Sequence, residues 1–116
     1  PFAMTGALSD ESCAQIHAAT QAVLGEWIAR LREQTGDGSP EKVTAFRPRM
    51  AVHGRFKQPC PPCGAPVQRI VYAPNEANYC ARCQTGGRLL SDRALSRLLG
   101  RDWPKTLEEM ELRKHR

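Results

Sequence analysis

The sequence predicts a small α+β fold: a long N-terminal helix, then a four-cysteine ribbon built on a β-hairpin, then short C-terminal helices. Three observations lead there. Apolar residues recur at three- and four-residue spacing from Cys13 to Leu31, and four of the five cysteines fall into two C-x-x-C pairs between Gln58 and Gln84. Beyond Gly86-Gly87, two helix-start patterns are separated by Gly100. The chain therefore divides into a helical lobe (1–38), a basic connecting segment (39–57), a four-cysteine finger (58–85) and a helical C-terminal extension (86–116).

Pro1 to Ala7 reads as a loop. Ser9 is the expected N-cap of the long helix, with Asp10 and Glu11 in the first turn facing the positive end of the dipole, and Leu8 placed to staple against Cys13. Cys13, Ile16, Thr20, Val23, Trp27 and Leu31, widened by Leu24 and Ile28, give an apolar face about seven turns long that ends near Gly36. On that face Trp27 and Cys13 are expected in the core and His17 on the surface. Thr35 to Lys42 is a glycine- and proline-punctuated loop. In the following VTAFRPRMAVHGRFK, Pro48 opposes a long helix; an extended or one-turn segment would lay Phe46, Met50 and Val52 on the core with its arginines outward.

The finger sequence is QPCPPCGAPVQRIVYAPNEANYCARCQ. Cys60/Cys63 and Cys80/Cys83 are two sulfur pairs separated by a short strand-like spacer, the arrangement tetrahedral zinc requires. Pro59 and Gly64 flank the first pair and set the tight turn that aims backbone amides at sulfur, while Val67–Tyr72 and Asn78–Tyr79 supply strand formers around an expected Pro74-Asn75-Glu76 turn. One structural zinc held by Cys60, Cys63, Cys80 and Cys83 is the expected cofactor. Disulfides are the weaker alternative, since no signal-peptide pattern precedes the cysteines; a thioredoxin-like redox pair would need a neighbouring βαβ pattern. Four thiolates leave no open position for water, which argues against a zinc-dependent hydrolase.

After the finger, Ser91-Asp92 starts a short helix whose Leu90, Ala94, Leu95, Leu98 and Leu99 form an apolar stripe, and Gly100 stops it. Thr106-Leu107-Glu108-Glu109 is a capping box that opens a last helix, acidic at its start and basic at its end.

The formal net charge is +5, and its placement is uneven: Lys42, Arg47, Arg49, Arg55, Lys57 and Arg69 lie between Glu41 and Glu76 with no acidic residue among them. Such a block attracts a polyanion; its bland counterpart is a solvated basic face. No apolar run is long enough to span a membrane, so a cytoplasmic protein is expected, with no membrane partner. The zinc thiolates suit that reducing compartment.

Phe46-Arg47-Pro48-Arg49-Met50-Ala51-Val52-His53-Gly54-Arg55, Pro59-Cys60-Pro61-Pro62-Cys63-Gly64, Arg69-Ile70-Val71 and Tyr79-Cys80-Ala81-Arg82-Cys83-Gln84, preceded by the capped Leu8-Ser9-Asp10-Glu11 helix, resemble the C-terminal portion of the formamidopyrimidine-DNA glycosylase and endonuclease VIII (Fpg/Nei) family. The resemblance runs from about Leu8 to Gln84. It implies the helix after a helix-two-turn-helix and a zinc finger that presses a hairpin on double-stranded DNA beside a damaged base. The resemblance assigns base excision and strand cleavage to an N-terminal catalytic domain of the same protein; this segment carries no catalytic residue. Pro1 does not match the family's N-terminal proline nucleophile, because Phe2 follows where that family has glutamate, and it reads as a fragment boundary. The family's hairpin-tip arginine falls on Asn75, which can hydrogen-bond a phosphate but brings no charge. The expected DNA contacts are therefore Asn75 together with Arg55, Lys57 and Arg69. The alternative function is a zinc-ribbon module of a transcription or translation protein that meets protein or RNA; it accounts for the cysteines and the charge but not for the capped helix or the Phe46–Arg55 segment.

Overall fold

The computed structural model describes residues 2–42, 44 and 47–115. The chain forms two compact units, Pro1–Ala45 and Phe46–Arg116.

The first unit is dominated by α1 (Asp10–Thr35), preceded by a single 3-10 turn at Thr5–Ala7 where a plain loop was expected. Ser9 caps α1, its side chain accepting from the Ser12 N–H at 3.2 Å, and Gly36 ends it at φ +56°, a conformation glycine adopts without a Cβ penalty. The helix length and both ends follow the sequence. Its apolar face does not: no residue of α1 is buried, Ile16 is 54% exposed, and Val23, Leu24 and Ile28 are exposed as well. Cys13, expected in a core, is exposed; Trp27 is half-buried, with the Arg30 guanidinium 5.3 Å from its ring centroid. His17 is on the surface as expected. Helical periodicity reports that a face is apolar, not that anything covers it.

The second unit holds the core. Strands β1 (Gln68–Tyr72) and β2 (Asn75–Tyr79) pair antiparallel, with Gln68 opposite Tyr79, Ile70 opposite Ala77 and Tyr72 opposite Asn75. The turn is therefore the two residues Ala73-Pro74 rather than Pro74-Asn75-Glu76, and both Asn75 and Glu76 are strand residues. Ala73 has φ +50° and proline fixes φ at the next position, so the loop carries the backbone signs of a type II′ turn, matched to hairpin twist. Ala73 is not a residue type that announces positive φ, which is why the turn's position was hidden.

Three short helices follow: α2 (Ala81–Thr85), α3 (Arg93–Leu99) and α4 (Leu107–Lys114). Val67 just before β1, Ile70 and Tyr79 from the hairpin, Ala81 from α2, and Leu89, Leu90 and Leu107 from the C-terminal segment belong to one buried cluster, with Val52, Trp103 and Met110 packed on it. The C-terminal segment thus completes the finger's core. An isolated bridge joins Arg88 to Thr106, and Leu89 N–H donates to Lys105 C=O at 2.8 Å, so the chain doubles back on itself before α4.

Each short helix is capped by its own sequence. Asp92 Oδ1 accepts from Leu95 N–H at 2.8 Å, and Thr106 Oγ1 accepts from Glu109 N–H at 3.2 Å. The Glu109 carboxylate returns to Lys105 N–H at 2.7 Å, one residue earlier than an ideal capping box. The stripe expected on α3 is only partly used: Leu90 is buried and Leu95 half-buried, but Leu98 is 79% exposed. Met50 and Val52 are half-buried; Phe46 lies outside the described residues. Among those residues no helix is long and apolar enough to cross a membrane.

Candidate metal centre and nucleic-acid face

Two knuckles bring four sulfurs together. In the first, residues 57–60 run antiparallel to 65–67, with Lys57 N–H to Val67 C=O at 2.9 Å, Val67 N–H to Gln58 C=O at 2.9 Å and Cys60 N–H to Ala65 C=O at 2.8 Å. Gly64, at φ +71°, closes this turn with its N–H on Cys60 C=O at 2.7 Å; a side chain there would be strained by the backbone conformation alone. In the second knuckle Cys80 is the N-cap of α2, its sulfur accepting from Cys83 N–H at 3.5 Å while Gln84 Oε1 takes the Cys80 N–H at 2.8 Å. Arg82 bridges the two knuckles by donating to Cys63 C=O at 3.4 Å.

The sulfurs of Cys60, Cys63, Cys80 and Cys83 all lie within 4.8 Å of one another, and Cys63 and Cys80 are 3.4 Å apart. A tetrahedral zinc with bonds of about 2.3 Å sets its sulfurs about 3.8 Å apart, so the cluster is of the right size for one ion. Cys60 and Cys80 are buried, Cys63 is half-buried and Cys83 exposed, so the pocket has a dry floor and one open thiol. As free thiols Cys60, Cys80 and Cys83 do not titrate alike. Burial raises Cys60. Burial also acts to raise Cys80, but the Cys83 N–H and hydrogen bonds from the neighbouring thiols outweigh it and bring that group down to about 7. Cys83 is pushed up to about 12, chiefly by its side-chain hydrogen bond with Cys63 and then by that with Cys80. One thiolate forms readily at Cys80, stabilised by the hydrogen bonds it accepts. The site takes one metal ion, and with four sulfurs around it that ion cross-links the knuckles.

The residues expected to meet DNA do not form one patch. The hairpin register puts Arg69, Val71, Glu76 and Asn78 on its outer face and Gln68, Ile70, Ala77 and Tyr79 on the core face. Arg69 stands 4.3 Å over the Phe56 ring, and Lys57 Nζ is 5.5 Å from the same ring, so these two cations flank one aromatic. Arg69 also lies 3.5 Å from Glu76 Oε2. Arg55 is different: it is half-buried, donating to Met50 C=O and Gln58 Oε1, each at 3.1 Å. It fixes the connecting segment. Gly54 N–H, donating to Asn78 Oδ1 at 2.7 Å, ties the same segment to the outer face of the hairpin. Asn75 is exposed at the tip, opposite Tyr72 and on the pleat face away from Arg69.

Sequence reasoning missed Tyr79 and Asp92 as organisers. The Tyr79 hydroxyl accepts from Leu90 N–H at 2.7 Å and donates to Leu90 C=O at 3.3 Å. Asp92, a buried acid, uses its second oxygen on Val71 N–H at 3.4 Å. The N-cap pattern at Asp92 was visible, whereas these partners, 11 and 21 residues away, carry no sequence signal.

Residues 57–86 match the model of the zinc finger found in FPG and IleRS. The chain is 38% identical over 99 residues to an uncharacterized formamidopyrimidine-DNA glycosylase-like protein of Mycobacterium tuberculosis, covering 85% of this chain and 61% of that protein. It is 35% identical over 94 residues to the formamidopyrimidine-DNA glycosylase of Thermus thermophilus and 29% identical over 86 residues to that of Geobacillus kaustophilus, covering 75% and 72% of this chain. The matched region spans only 34% and 31% of those two enzymes. No solved structure matches the chain.

Proposed function

Taking as premise that the chain carries the Fpg-type zinc finger and corresponds to the C-terminal part of formamidopyrimidine-DNA glycosylase-like proteins, we propose that it is the DNA-binding end of a base-excision-repair glycosylase and AP lyase acting on oxidised bases. The observation that carries this reading is the pairing of a four-thiol centre with a hairpin whose outer-face Arg69 shares the Phe56 ring with Lys57 of the connecting segment. A glycosylase rotates its target nucleotide out of the stack at a cost of a few kcal/mol, and a metal-locked hairpin against the bent backbone helps hold that state. Lys57 and Arg69 contact phosphate, and Asn75 adds an uncharged hydrogen bond at the tip. Arg55 contributes by holding the segment that presents Phe56 and Lys57. Base excision resides in the rest of the protein, in the same cytoplasmic compartment as the DNA.

The test is fluorescence anisotropy of the zinc-loaded chain with a labelled duplex over a salt series. Weak binding, nearly independent of sequence and with a slope of log K against log salt of about −3 to −5, is the expected result for roughly three to five phosphate contacts. Arg69→Gln and Lys57→Gln should each flatten that slope by about one. Slopes unchanged in both variants would remove DNA from the function of this face.

A further inference from the structure

The segment that follows the finger carries a second run of cations. Arg88, Arg93, Arg97 and Arg101 are all exposed, and none of their guanidinium groups makes an ion pair among the described residues. Asp92 is the only acid between Gly86 and Arg101, and it is buried with one oxygen on Leu95 N–H and the other on Val71 N–H. Neither oxygen forms an ion pair with a neighbouring arginine. Arg93 and Arg97 are four residues apart on α3 and so share a face, about 5–6 Å apart at Cβ.

The helix itself does not call for this charge. Arg97 in the last turn complements the dipole, but Arg93 is the first residue after the cap, where a cation is unfavourable, and the first turn holds no acid. Nor is the segment a loose basic tail. Leu89 and Leu90 sit in the finger's core, Tyr79 holds both backbone groups of Leu90, and Asp92 fixes the start of α3 to β1 at Val71, two residues from Arg69. The arginines are therefore carried on the same rigid unit as the hairpin.

We propose that α3 and its flanks form a second phosphate-contacting surface, through which Arg93 and Arg97, assisted by Arg88 and Arg101, bind the nucleic-acid backbone next to the stretch held by the hairpin. These residues lie outside the 57–86 finger matched by the family model. The inference rests on the DNA-binding reading above and deepens it, extending the footprint along the strand. Charge complementarity selects the partner: four exposed arginines, with one buried and hydrogen-bonded acid among them, suit an evenly charged polyanion.

The experiment is the same anisotropy series on the zinc-loaded chain, with Arg93→Gln/Arg97→Gln, Arg93→Lys/Arg97→Lys and Arg69→Gln compared. The glutamine pair should flatten the salt slope by about two, in addition to the change of about one from Arg69→Gln, while the lysine pair keeps the original slope. One zinc per chain and an unchanged unfolding midpoint show that each variant is folded. If the glutamine pair leaves the slope unchanged while Arg69→Gln flattens it, α3 is not a phosphate surface and the finger's role stands. If neither flattens it, the DNA reading falls and this inference with it. Loss of binding in the lysine pair as well as in the glutamine pair would identify a structural role for the arginines and overturn the electrostatic one.

Discussion

Tyr79 and Leu90 exchange two hydrogen bonds through a single hydroxyl, which accepts from the Leu90 N–H at 2.7 Å and donates to the Leu90 carbonyl at 3.3 Å. Tyr79 is 1% exposed, and it sits immediately before the third cysteine. The last finger strand and the start of the C-terminal segment are thus locked at one atom. Tyr79→Phe keeps the ring in place but leaves both Leu90 backbone groups buried without a partner, which should cost about 1–3 kcal/mol. Urea unfolding of the zinc-loaded protein measures this; a loss near zero would show that water replaces the hydroxyl.

Metal content provides the second expectation. The protein should hold one zinc per chain, and chelation should unfold the finger, because structural zinc contributes apparent free energies of about 10–16 kcal/mol in small fingers. Cys80→Ser should abolish metal retention, whereas Cys13→Ser, on the exposed helix, should leave it unchanged. Elemental analysis and circular dichroism before and after chelation give the answer.

The dependence of zinc affinity on pH has a definite sign. Protons compete with the metal for thiolates, so affinity falls as pH falls. Cys80 as a free thiol lies lowered at about 7, so above that value it has already lost its proton, and below it one more proton must be displaced for every ion bound. Cys83, pushed up to about 12, keeps its proton until the metal arrives. The slope of log affinity against pH should therefore steepen by about one unit on going down through neutrality. A competition titration against a chromophoric chelator at several pH values reads it directly.

Glu76 and Asn75 tune the hairpin in the same direction. Glu76 faces Arg69 at 3.5 Å across an exposed surface, where it stabilises little but cancels local charge. Glu76→Gln should tighten duplex binding, and Asn75→Arg should tighten it and steepen the salt slope by about one. Anisotropy titrations at fixed and varied salt compare both with the unsubstituted chain; weaker binding in either would place the phosphate elsewhere.

The parts of this fold governed by local chemistry were legible in the sequence. Ser9, Asp92 and Thr106 cap their helices through bonds to residues three positions on, and the cysteine spacing alone assembled the metal site. What depended on distant partners was not. Nothing near Leu89, Leu90 or Leu107 shows that they complete the finger's core, and no pattern at Arg55 distinguishes an arginine that holds a loop from one that faces outward. The turn was misplaced because Ala73 occupies a positive-φ position usually signalled by glycine or asparagine. The apolar face of α1 was read correctly as a pattern, but its burial was inferred from periodicity, which cannot supply a covering surface.

Asp92 also bears on what the hairpin cannot do. In a two-residue hairpin the closing pair Tyr72–Asn75 is hydrogen-bonded, so Val71 belongs to a pair whose N–H points away from the partner strand, toward the free edge of β1. The Asp92 carboxylate accepts that N–H. A ribbon of two strands otherwise has two open edges, each a template for another chain. With a buried carboxylate seated on one of them, a third strand joining there would have to displace a helix cap and strand an acid without partners. The hairpin is thereby guarded on that side against edge-to-edge polymerisation.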